Sequence, residues 1–203
     1  LVTLWKLIER FLSQGYKTEY EKIYNSLSKE IKNSSTGLLL QKEIKAASLL
    51  AINKYFPPIN LQNYNLSYST FDVKSTPRVI TFVDFWFSNC SPCLREFPKY
   101  KKLYENYKDY GFSIVGISTD DSYNIESWKQ VIDTLKLPWS QYLDKNGIFS
   151  SSVLINSFPT NFLLNEKGEI IAKNILPKQL ENFLKDRFTK QNINDKLEIQ
   201  EPY

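Results

Sequence analysis

The spacing of hydrophobic side chains divides the chain into a helical first part and a longer part in which buried strands alternate with helices. In residues 1–56, apolar side chains recur every three or four positions in three stripes, which predicts three short amphipathic helices. The stripes consist of Leu1, Leu4, Trp5, Ile8, Phe11 and Leu12, then Tyr16, Tyr20, Ile23, Tyr24, Leu27 and Ile31, then Leu40, Ile44, Ala47 and Ala51. Gly15, the polar run 33–35 and Pro57 are the predicted helix ends.

After Pro58 the pattern predicts an α/β domain over residues 57–188. Runs of β-branched and apolar residues indicate two strands that are buried on both faces, and a helical stripe follows each of them. The strands are predicted at 79–87 and 112–118, helices at 93–107, 125–135 and 180–188, a hairpin at 159–164 and 169–173, and short edge strands within 60–76. This order is typical of a central mixed sheet with helices on both faces. Residues 189–203 are polar and are predicted as a flexible C-terminal tail.

Composition limits the chemistry that the chain can perform. Of its 203 residues, 42% are hydrophobic and 24% are charged, which is typical of a folded globular protein. The sequence contains no histidine, which excludes Ser-His-Asp and Cys-His nucleophile systems and removes the commonest ligand of zinc and copper. Methionine is also absent, even at position 1, so we expect the chain to be a piece of a longer precursor.

The net charge of +4 lies entirely in the helical segment. Residues 1–56 hold nine Lys and Arg against five Asp and Glu, whereas the remainder of the chain is balanced. Basic residues such as Lys6, Arg10 and Lys17 are spread along the predicted helices with acidic residues between them. We interpret them as solvated helix faces, because a nucleic-acid-binding protein carries a dense basic stripe. No nucleic-acid partner is predicted.

The two cysteines, Cys90 and Cys93, lie where the strand 79–87 is predicted to end and the next helix to begin. Unpaired N–H groups and a partial positive charge at a helix N-terminus stabilise a thiolate. We expect Cys90 to be the exposed sulfur. Cys93 lies one turn deeper, where it can attack a mixed disulfide at Cys90 and release the partner. Pro92 fixes the turn, since this position needs no backbone N–H.

Two other interpretations of the cysteine pair are open at this point. One is half of a zinc site, which needs further ligands that the sequence lacks, because it has no other Cys and no His. The other is a structural disulfide, but closing a loop of two residues constrains an unfolded chain very little. Redox exchange is favoured over both, and the sequence predicts neither a metal nor a cofactor.

Several motifs resemble those of the thioredoxins. Residues 83–86 (VDFW) followed by 90–93 (CSPC) resemble the active-site segment of that family. Pro98 resembles the proline that bends its active-site helix, and residues 158–160 (FPT) resemble its cis-proline loop. The resemblance covers residues 57–188 and implies a thioredoxin-like fold with an added N-terminal helical segment.

Within that superfamily, the chain is most similar to the extracytoplasmic, membrane-associated thiol-disulfide oxidoreductases of bacteria. These include cytochrome c maturation reductases and a peroxiredoxin-related branch, and members from Bacteroidetes often carry an N-terminal extension. Residues 93–98 (CLREFP) resemble their active-site helix, and the insertion 119–157, with Trp128 and Asp144, occupies the place of their extra helix and strand. The resemblance implies a location in the periplasm or cell envelope, with any anchor in a removed segment before Leu1.

Asp84 and Glu96 are the two acidic residues that we expect to assist the cysteines. Asp84 lies on a buried strand, where a carboxylate without a cation has a raised pKa. It could accept the proton of Cys93 when that thiol attacks. Glu96 follows Cys93 by one helical turn, where it could adjust the acidity of the thiols or simply point to water. The role of Asp84 rests chiefly on the resemblance.

The expected docking groove for a client peptide lies beside the cysteines. Pro159 is expected to be cis, so that the backbone of Phe158 can pair with an extended peptide. Trp86 and Pro92 are expected to complete the groove. Residues 118–121 (STDD) end the predicted central strand, and we interpret them as a polar loop cap.

These features together predict a thiol-disulfide oxidoreductase that acts on protein clients, and we expect it to be a reductase. It would need a membrane thiol relay or, if it oxidises clients, a quinone-linked partner. Asn89 and Ser91 differ from the thioredoxin residues at the same places, so the direction of exchange is open. Two alternatives remain: a peroxiredoxin-like peroxide reductase and a non-catalytic binding module with a thioredoxin fold.

Overall fold

The N-terminal segment folds into four helices in the computed structural model, which describes residues 2–14, 16–75 and 78–198. The helices are α1 (Val2–Gln14), α2 (Thr18–Ser26), α3 (Lys29–Asn33) and α4 (Ser35–Ser48). The second predicted stripe therefore covers two helices, because Leu27 is extended and the Ser28 side chain accepts a hydrogen bond from the Ile31 N–H as the cap of α3. Leu1, Gly15 and the side chain of Leu12 lie outside the described residues.

These helices bury a hydrophobic cluster of their own. Its members come from α1, α2 and α4 and from the turn after α2, and they are Leu4, Leu7, Phe11, Tyr20, Tyr24, Leu27, Leu40 and Ile44. Leu154, from the second part of the chain, packs against this cluster. The N-terminal helices thus form a separate hydrophobic unit that touches the following domain.

The rest of the chain forms a mixed sheet, as the sequence predicts, and this sheet has seven strands. The strands are β1 (Ile59–Asn63), β2 (Tyr68–Phe71), β3 (Ile80–Trp86), β4 (Phe112–Ser118), β5 (Ser140–Leu143), β6 (Thr160–Asn165) and β7 (Ile170–Lys173), in the order β2-β1-β5-β4-β3-β6-β7. Strands β3, β4 and β5 are parallel, and the others pair antiparallel. The predicted hairpin is β6–β7, and the segment 60–76 supplies the edge strand β2.

Three long helices cover one face of the sheet. They are α5 (Ser91–Tyr107), α6 (Ile125–Leu135) and α8 (Pro177–Glu198), and the short helix α7 (Ile148–Ser152) follows β5. Helices α5 and α6 share a face because β3, β4 and β5 follow one another in one direction across the sheet, with right-handed connections. The other face packs a second cluster that includes Leu50, Phe56 and Phe149, the last from α7.

Strand β3 runs through the centre of the sheet, and all seven of its residues are buried. Alternate residues Ile80, Phe82 and Trp86 contact the cluster beneath α5, whereas Val83 and Phe85 belong to the cluster on the opposite face. Because side chains alternate across a strand, Asp84 points to the α5 face. The predicted strand buried on both faces is confirmed, and it ends beneath the two cysteines.

Helix α8 is longer than the sequence predicts. The apolar stripe that marks it ends at Phe188, but the helix continues to Glu198, across the predicted start of the tail at residue 189. Residues 199–203 lie outside the described residues. Among the helices of the described part, none is both long enough and apolar enough to cross a membrane.

Candidate active site

Cys90 and Cys93 form a disulfide at the N-terminus of α5. Cys90 is the N-cap of that helix, and its sulfur accepts a hydrogen bond from the Cys93 N–H at 3.3 Å. The Cys90 N–H donates to the Phe87 carbonyl at 2.9 Å, which closes the turn between β3 and α5. Pro92 lies in the first helical turn, where the missing N–H leaves no bond unmade. The strand-to-helix turn therefore places the sulfurs where the helix N-terminus favours negative charge.

Both sulfurs belong to buried residues, which corrects the expectation that Cys90 is exposed. Cys90 is 2% exposed and Cys93 is 1% exposed. The disulfide ties the Cys90 sulfur to a residue inside the first helical turn, so the sulfur is drawn under the helix end. Ser91 and Pro92, which lie between the cysteines, are exposed. The surface at this point is thus formed by the residues between the cysteines.

Trp86 lies in the core beneath the site and does not line a groove. Its side chain is fully buried, and its ring packs edge to face against Phe97 of α5 at 5.0 Å between centroids. The even positions of β3 face α5, so Trp86 is covered by the helix that carries the cysteines. The prediction that Trp86 forms a wall of the docking groove is corrected accordingly. Pro98 lies inside α5, one residue after Phe97.

The peptide bond between Phe158 and Pro159 is cis, as the sequence predicts. Both residues are half-buried, and the Phe158 ring packs edge to face on Phe87 at 5.4 Å between centroids. Phe87 belongs to the turn that leads to Cys90, so this contact joins the cis-proline loop to the cysteine turn. Within the described residues, the backbone N–H and carbonyl of Phe158 have no hydrogen-bond partner.

Asp84 is a buried carboxyl group without a partner. It is 1% exposed, and neither of its oxygens accepts a hydrogen bond from the described residues. Burial raises the pKa of Asp84 well above its ordinary value, and the charge of Glu96 raises it further. Asp84 is therefore suited to hold a proton at a pH at which an exposed carboxyl group has lost it.

Glu96 is held near Asp84 by Tyr100. The Tyr100 hydroxyl donates to Glu96 Oε2 at 2.8 Å, and Tyr100 itself is 1% exposed. Burial raises the pKa of Tyr100, with smaller contributions from the charge of Asp84 and from the bond to Glu96. The structure thus brings Asp84 near Glu96, which follows Cys93 by one turn of α5. Tyr100 was not among the predicted site residues, although its apolar-stripe position on the helix marks it as buried.

Asp120 fixes the turn that carries the cysteines, which sequence reasoning did not foresee. Its carboxylate accepts hydrogen bonds from the Ser88 N–H at 2.9 Å, from the Ser88 hydroxyl at 2.7 Å and from the Ser118 hydroxyl at 2.5 Å. All three residues are buried. Asp120 therefore links the end of β4 to the segment just before Cys90. The acidic pair after β4 was a signal, but the sequence alone did not identify its partner.

The described residues contain no group of three or more His, Cys, Asp or Glu side chains that could hold a metal ion. A cleft of about 350 Å³ opens beside the cysteine turn, and Phe87, Asn89, Asp121 and Asn146 are among its lining residues. Among the described residues, the site therefore combines a disulfide, a carboxyl group without a hydrogen-bond partner and the unbonded backbone of Phe158.

Comparison with known proteins places this arrangement among redox proteins. A family model described as Redoxin matches residues 51–187. The thiol-disulfide oxidoreductase ResA of Halalkalibacterium halodurans is 32% identical over 90 residues, which are 44% of this chain and 50% of that protein. The sporulation thiol-disulfide oxidoreductase A of Bacillus subtilis is 34% identical over 101 residues, 48% of this chain and 59% of that protein. The chain therefore spans little more than half the length of these relatives.

Solved structures show the same similarity over the α/β part. The thioredoxin domain of a thiol-disulfide oxidoreductase from Bacteroides vulgatus has a TM-score of 0.59 and 31% sequence identity, and the match covers 68% of this chain and 97% of that one. A thiol:disulfide interchange protein from Bacteroides sp. has the same TM-score and identity, with 68% and 90% coverage. The thioredoxin-like fold predicted from the sequence is confirmed.

Proposed function

This chain belongs to the Redoxin family, and from that premise we propose that it is a thiol-disulfide oxidoreductase that exchanges disulfides with protein clients. The observation that carries the proposal is the disulfide between Cys90 and Cys93 at the N-terminus of α5. The names of the relatives, which are thiol-disulfide oxidoreductases, support it. Protein clients are inferred from the half-buried cis-proline loop beside the cysteines.

Cys90 performs the first step in the proposed mechanism. In the reduced chain, its thiolate attacks one sulfur of a client disulfide, and the other client sulfur leaves with the bonding electron pair as a thiolate. A mixed disulfide then joins Cys90 to the client. The helix N-terminus favours this step, because the N–H of Cys93 points to the Cys90 sulfur and stabilises negative charge on it.

Cys93 performs the second step. Its thiol gives its proton to Asp84, and the resulting thiolate attacks the Cys90 sulfur, so that the Cys90–Cys93 disulfide forms and the client leaves as its second thiolate. The client has then gained two electrons and the chain has lost two. The raised pKa of Asp84 supports its role as the acceptor, since a proton is taken up most readily by a group whose pKa approaches the pH. Glu96, by its charge, makes that acceptor more basic.

The client segment is proposed to lie along Phe158. A peptide in extended conformation can pair with the free N–H and carbonyl of Phe158 in the manner of an added strand. Pro159 presents this backbone, and exposed Pro92 forms the opposite side of the contact. Backbone pairing of this kind does not depend on particular side chains of the client, which suits a protein that acts on several clients.

We place the protein outside the cytoplasm, in the periplasm or cell envelope, and we expect it to act there as a reductase. The support is the resemblance of residues 83–98 to membrane-associated oxidoreductases. Because each turnover leaves the chain oxidised, a reductase needs a dithiol donor, for which a membrane thiol relay is the proposed partner. A quinone-linked partner takes its place if the chain oxidises its clients.

A trapping experiment tests the proposed exchange. In Cys93→Ser, the mixed disulfide at Cys90 cannot be resolved, so the reduced variant should accumulate a covalent adduct with insulin, whose disulfides are intact, or with another disulfide-bearing protein. Cys90→Ser, which keeps the fold and Cys93, should give no adduct. Equal adduct formation by both variants, or none by either, would contradict the assigned order of attack. A loss of hydrogen peroxide that depends on Cys90 would instead support the peroxide-reductase alternative.

A further inference from the structure

Gln141, on β5, is a buried polar residue whose side chain has no partner. It is 7% exposed, and both its Oε1 and its Nε2 are without a hydrogen bond among the described residues. Burial of an amide that makes no hydrogen bond is unfavourable, because the group gives up its bonds to water and receives none in return. Such a group is a candidate for a role in another state of the molecule.

The register of the sheet places Gln141 in one row with Asp84. Asp84 on β3 lies opposite Gly116 on β4, and Gly116 lies opposite Gln141 on β5. All three residues face α5, because Phe82, Ile114 and Leu143, each two positions away, belong to the cluster beneath that helix. Two unpartnered polar side chains therefore point to the same face, separated by one residue without a side chain.

Gly116 lets the two side chains approach each other. A Cβ on Gly116 would overlap the Gln141 carboxamide, meeting its Cδ at 2.8 Å and its Nε2 at 2.9 Å. The carboxamide therefore occupies the place of the missing side chain of Gly116. Adjacent strands lie about 4.8 Å apart, so this place is next to the side chain of Asp84. Rotation about the flexible Gln side chain is enough to aim its N–H at the carboxylate.

The other polar groups on this face either make hydrogen bonds already or belong to rings that are held in place by packing. Asn161, its neighbour on β6, receives a bond from the Ile175 N–H at 2.8 Å and donates to the Ile175 carbonyl at 3.3 Å. Within the part of the chain that the structure describes, the indole N–H groups of Trp86 and Trp128 have no hydrogen-bond partner, but both rings are fully buried and packed against aromatic neighbours. Gln141 combines a free donor with a side chain that can turn.

We propose that Gln141 is a positioning residue for Asp84, and that its carboxamide N–H is the hydrogen-bond donor which the Asp84 carboxylate acquires when it ionises. The importance of this pair for turnover rests on the proposed function, in which Asp84 takes the proton of Cys93. The pairing itself does not depend on that function. It supplies a neutral donor to a carboxyl group on which no cation of the described residues acts.

The ionisable groups that act on Asp84 come from α5. They are Glu96 and Tyr100, and Cys93 joins them only after reduction, because a disulfide does not titrate. Strands β4, β5 and β6 contribute Gly116, Gln141 and Asn161, and α6 and α8 contribute apolar side chains to the cluster on this face. The charged groups that line one cleft with Glu96 are Lys99, Lys102, Lys178 and Glu181. The oxidised protein therefore isolates the titration of Asp84 from that of the cysteines.

Substitution of Gln141 by Met tests the inference, because Met is also unbranched but lacks the amide. The titration of the Asp84 carboxyl carbon would be followed by NMR in the oxidised protein, with Asp84→Asn used to assign the signal. We expect Gln141→Met to raise the midpoint by about one pH unit, a tenfold change in the ionisation constant. Gln62→Met is the matched control, since Gln62 also carries a buried, unpartnered Oε1 but lies on β1. It should leave the midpoint unchanged.

A second variant keeps the test decisive if Gln141→Met does not fold. Gln141→Asn retains the amide but shortens its reach, so it should raise the midpoint in the same direction. An unchanged midpoint in the folded Gln141 variants, or an equal shift in Gln62→Met, overturns the inference. Insulin reduction by the same proteins is measured separately. If Gln141→Met shifts the midpoint but the wild-type protein reduces no insulin disulfide, the pairing of Gln141 with Asp84 stands and the proposed function fails. If the protein reduces insulin but Gln141→Met leaves the midpoint unchanged, the pairing fails and the proposed function stands.

Discussion

Two aspartates flank the cysteine turn. Both are buried, but they differ in the hydrogen bonds that they accept. Asp84 is 1% exposed and Asp120 is 4% exposed. Asp120 accepts three hydrogen bonds from Ser88 and Ser118, whereas Asp84 accepts none from the described residues. Burial therefore does not decide what a carboxyl group does. Its hydrogen-bond donors decide whether it serves as a fixed tether or as a site that takes and releases a proton.

The difference follows from where each residue stands in the sheet. Asp120 comes after the end of β4, where loop backbone and serine hydroxyls supply donors. Asp84 lies within β3, where every backbone donor is used in the strand ladders to β4 and β6. Only side chains are then left to donate hydrogen bonds to the Asp84 carboxylate. Its neighbour on β4 is Gly116, which has no side chain.

The largest expected effect is the loss of stability when the Asp120 carboxylate, which ties the end of β4 to the turn before Cys90, is removed. Asp120→Ala leaves the Ser88 N–H and two hydroxyl groups without their acceptor, and should lower the free energy of unfolding by about 3–4 kcal/mol. Asp144→Ala is the matched variant, because Asp144 accepts bonds from the Phe149 N–H, the Ser150 N–H and the Ser150 hydroxyl. Urea unfolding should show similar losses for both.

Asp120→Ala and Asp144→Ala should differ in the alkylation of their cysteines. The Asp120 carboxylate holds the turn before Cys90, whereas the Asp144 carboxylate accepts its bonds from the first turn of α7. Alkylation of reduced Cys90 should therefore change its rate and pH profile in Asp120→Ala and keep both in Asp144→Ala. Identical alkylation in the two variants would mean that Asp120 supports the fold without positioning the site.

A smaller effect is expected from Asp84→Asn, with the opposite sign. Because burial raises the pKa of Asp84 above its ordinary value of 3.8, the folded protein binds more protons than the unfolded chain between the two pKa values. The stability of the wild type should therefore fall as pH rises from about 4 through the folded pKa, and stay level above it.

Asp84→Asn should remove that fall and be more stable than the wild type by about 2 kcal/mol at neutral pH. Unfolding in urea at a series of pH values, with the disulfide closed, measures both curves. Parallel curves would show that Asp84 does not change its ionisation on folding. A variant that is less stable at every pH would indicate an essential bond to Asp84 that the structure lacks.

The smallest effect concerns the link between Tyr100 and Glu96. Tyr100→Phe removes the hydroxyl that holds Glu96, at a cost of about 1 kcal/mol, and lets Glu96 turn to solvent. The midpoint of Asp84 should then move down, because the repulsion by Glu96 weakens. Tyr64→Phe is the control, since the Tyr64 hydroxyl donates to Asp133 at the same distance of 2.8 Å. A downward shift in both variants, or in neither, would contradict this coupling.

The sequence was sufficient for the elements whose hydrophobic pattern is strong. The continuous apolar run of β3, the stripes of α5 and α6 and the β6–β7 turn led to correct elements, because burial fixes their periodicity. The last turns of α8 were missed since residues 189–198 carry no apolar stripe, and the break after Leu27 depends on the local cap at Ser28.

The site was only partly predictable for a different reason. Motif spacing located the cysteines, Asp84, Glu96 and the cis peptide bond at Pro159. The burial of Cys90 and Trp86 was missed, because it depends on how α5 lies over β3. The bonds of Asp120 and the proximity of Gln141 depend on strand register, which joins residues that are far apart along the chain.

The most direct test of the proposed function is the equilibrium reduction potential of the Cys90–Cys93 pair, titrated against dithiothreitol and glutathione with alkylation of the cysteines as the readout. We predict a reversible two-electron couple near that of thioredoxin, about −270 mV, as a reductase requires. A value near −120 mV would reverse the predicted direction and indicate an oxidant of clients. A pair that cannot be cycled in the folded protein would contradict thiol-disulfide exchange and leave the chain as a binding module.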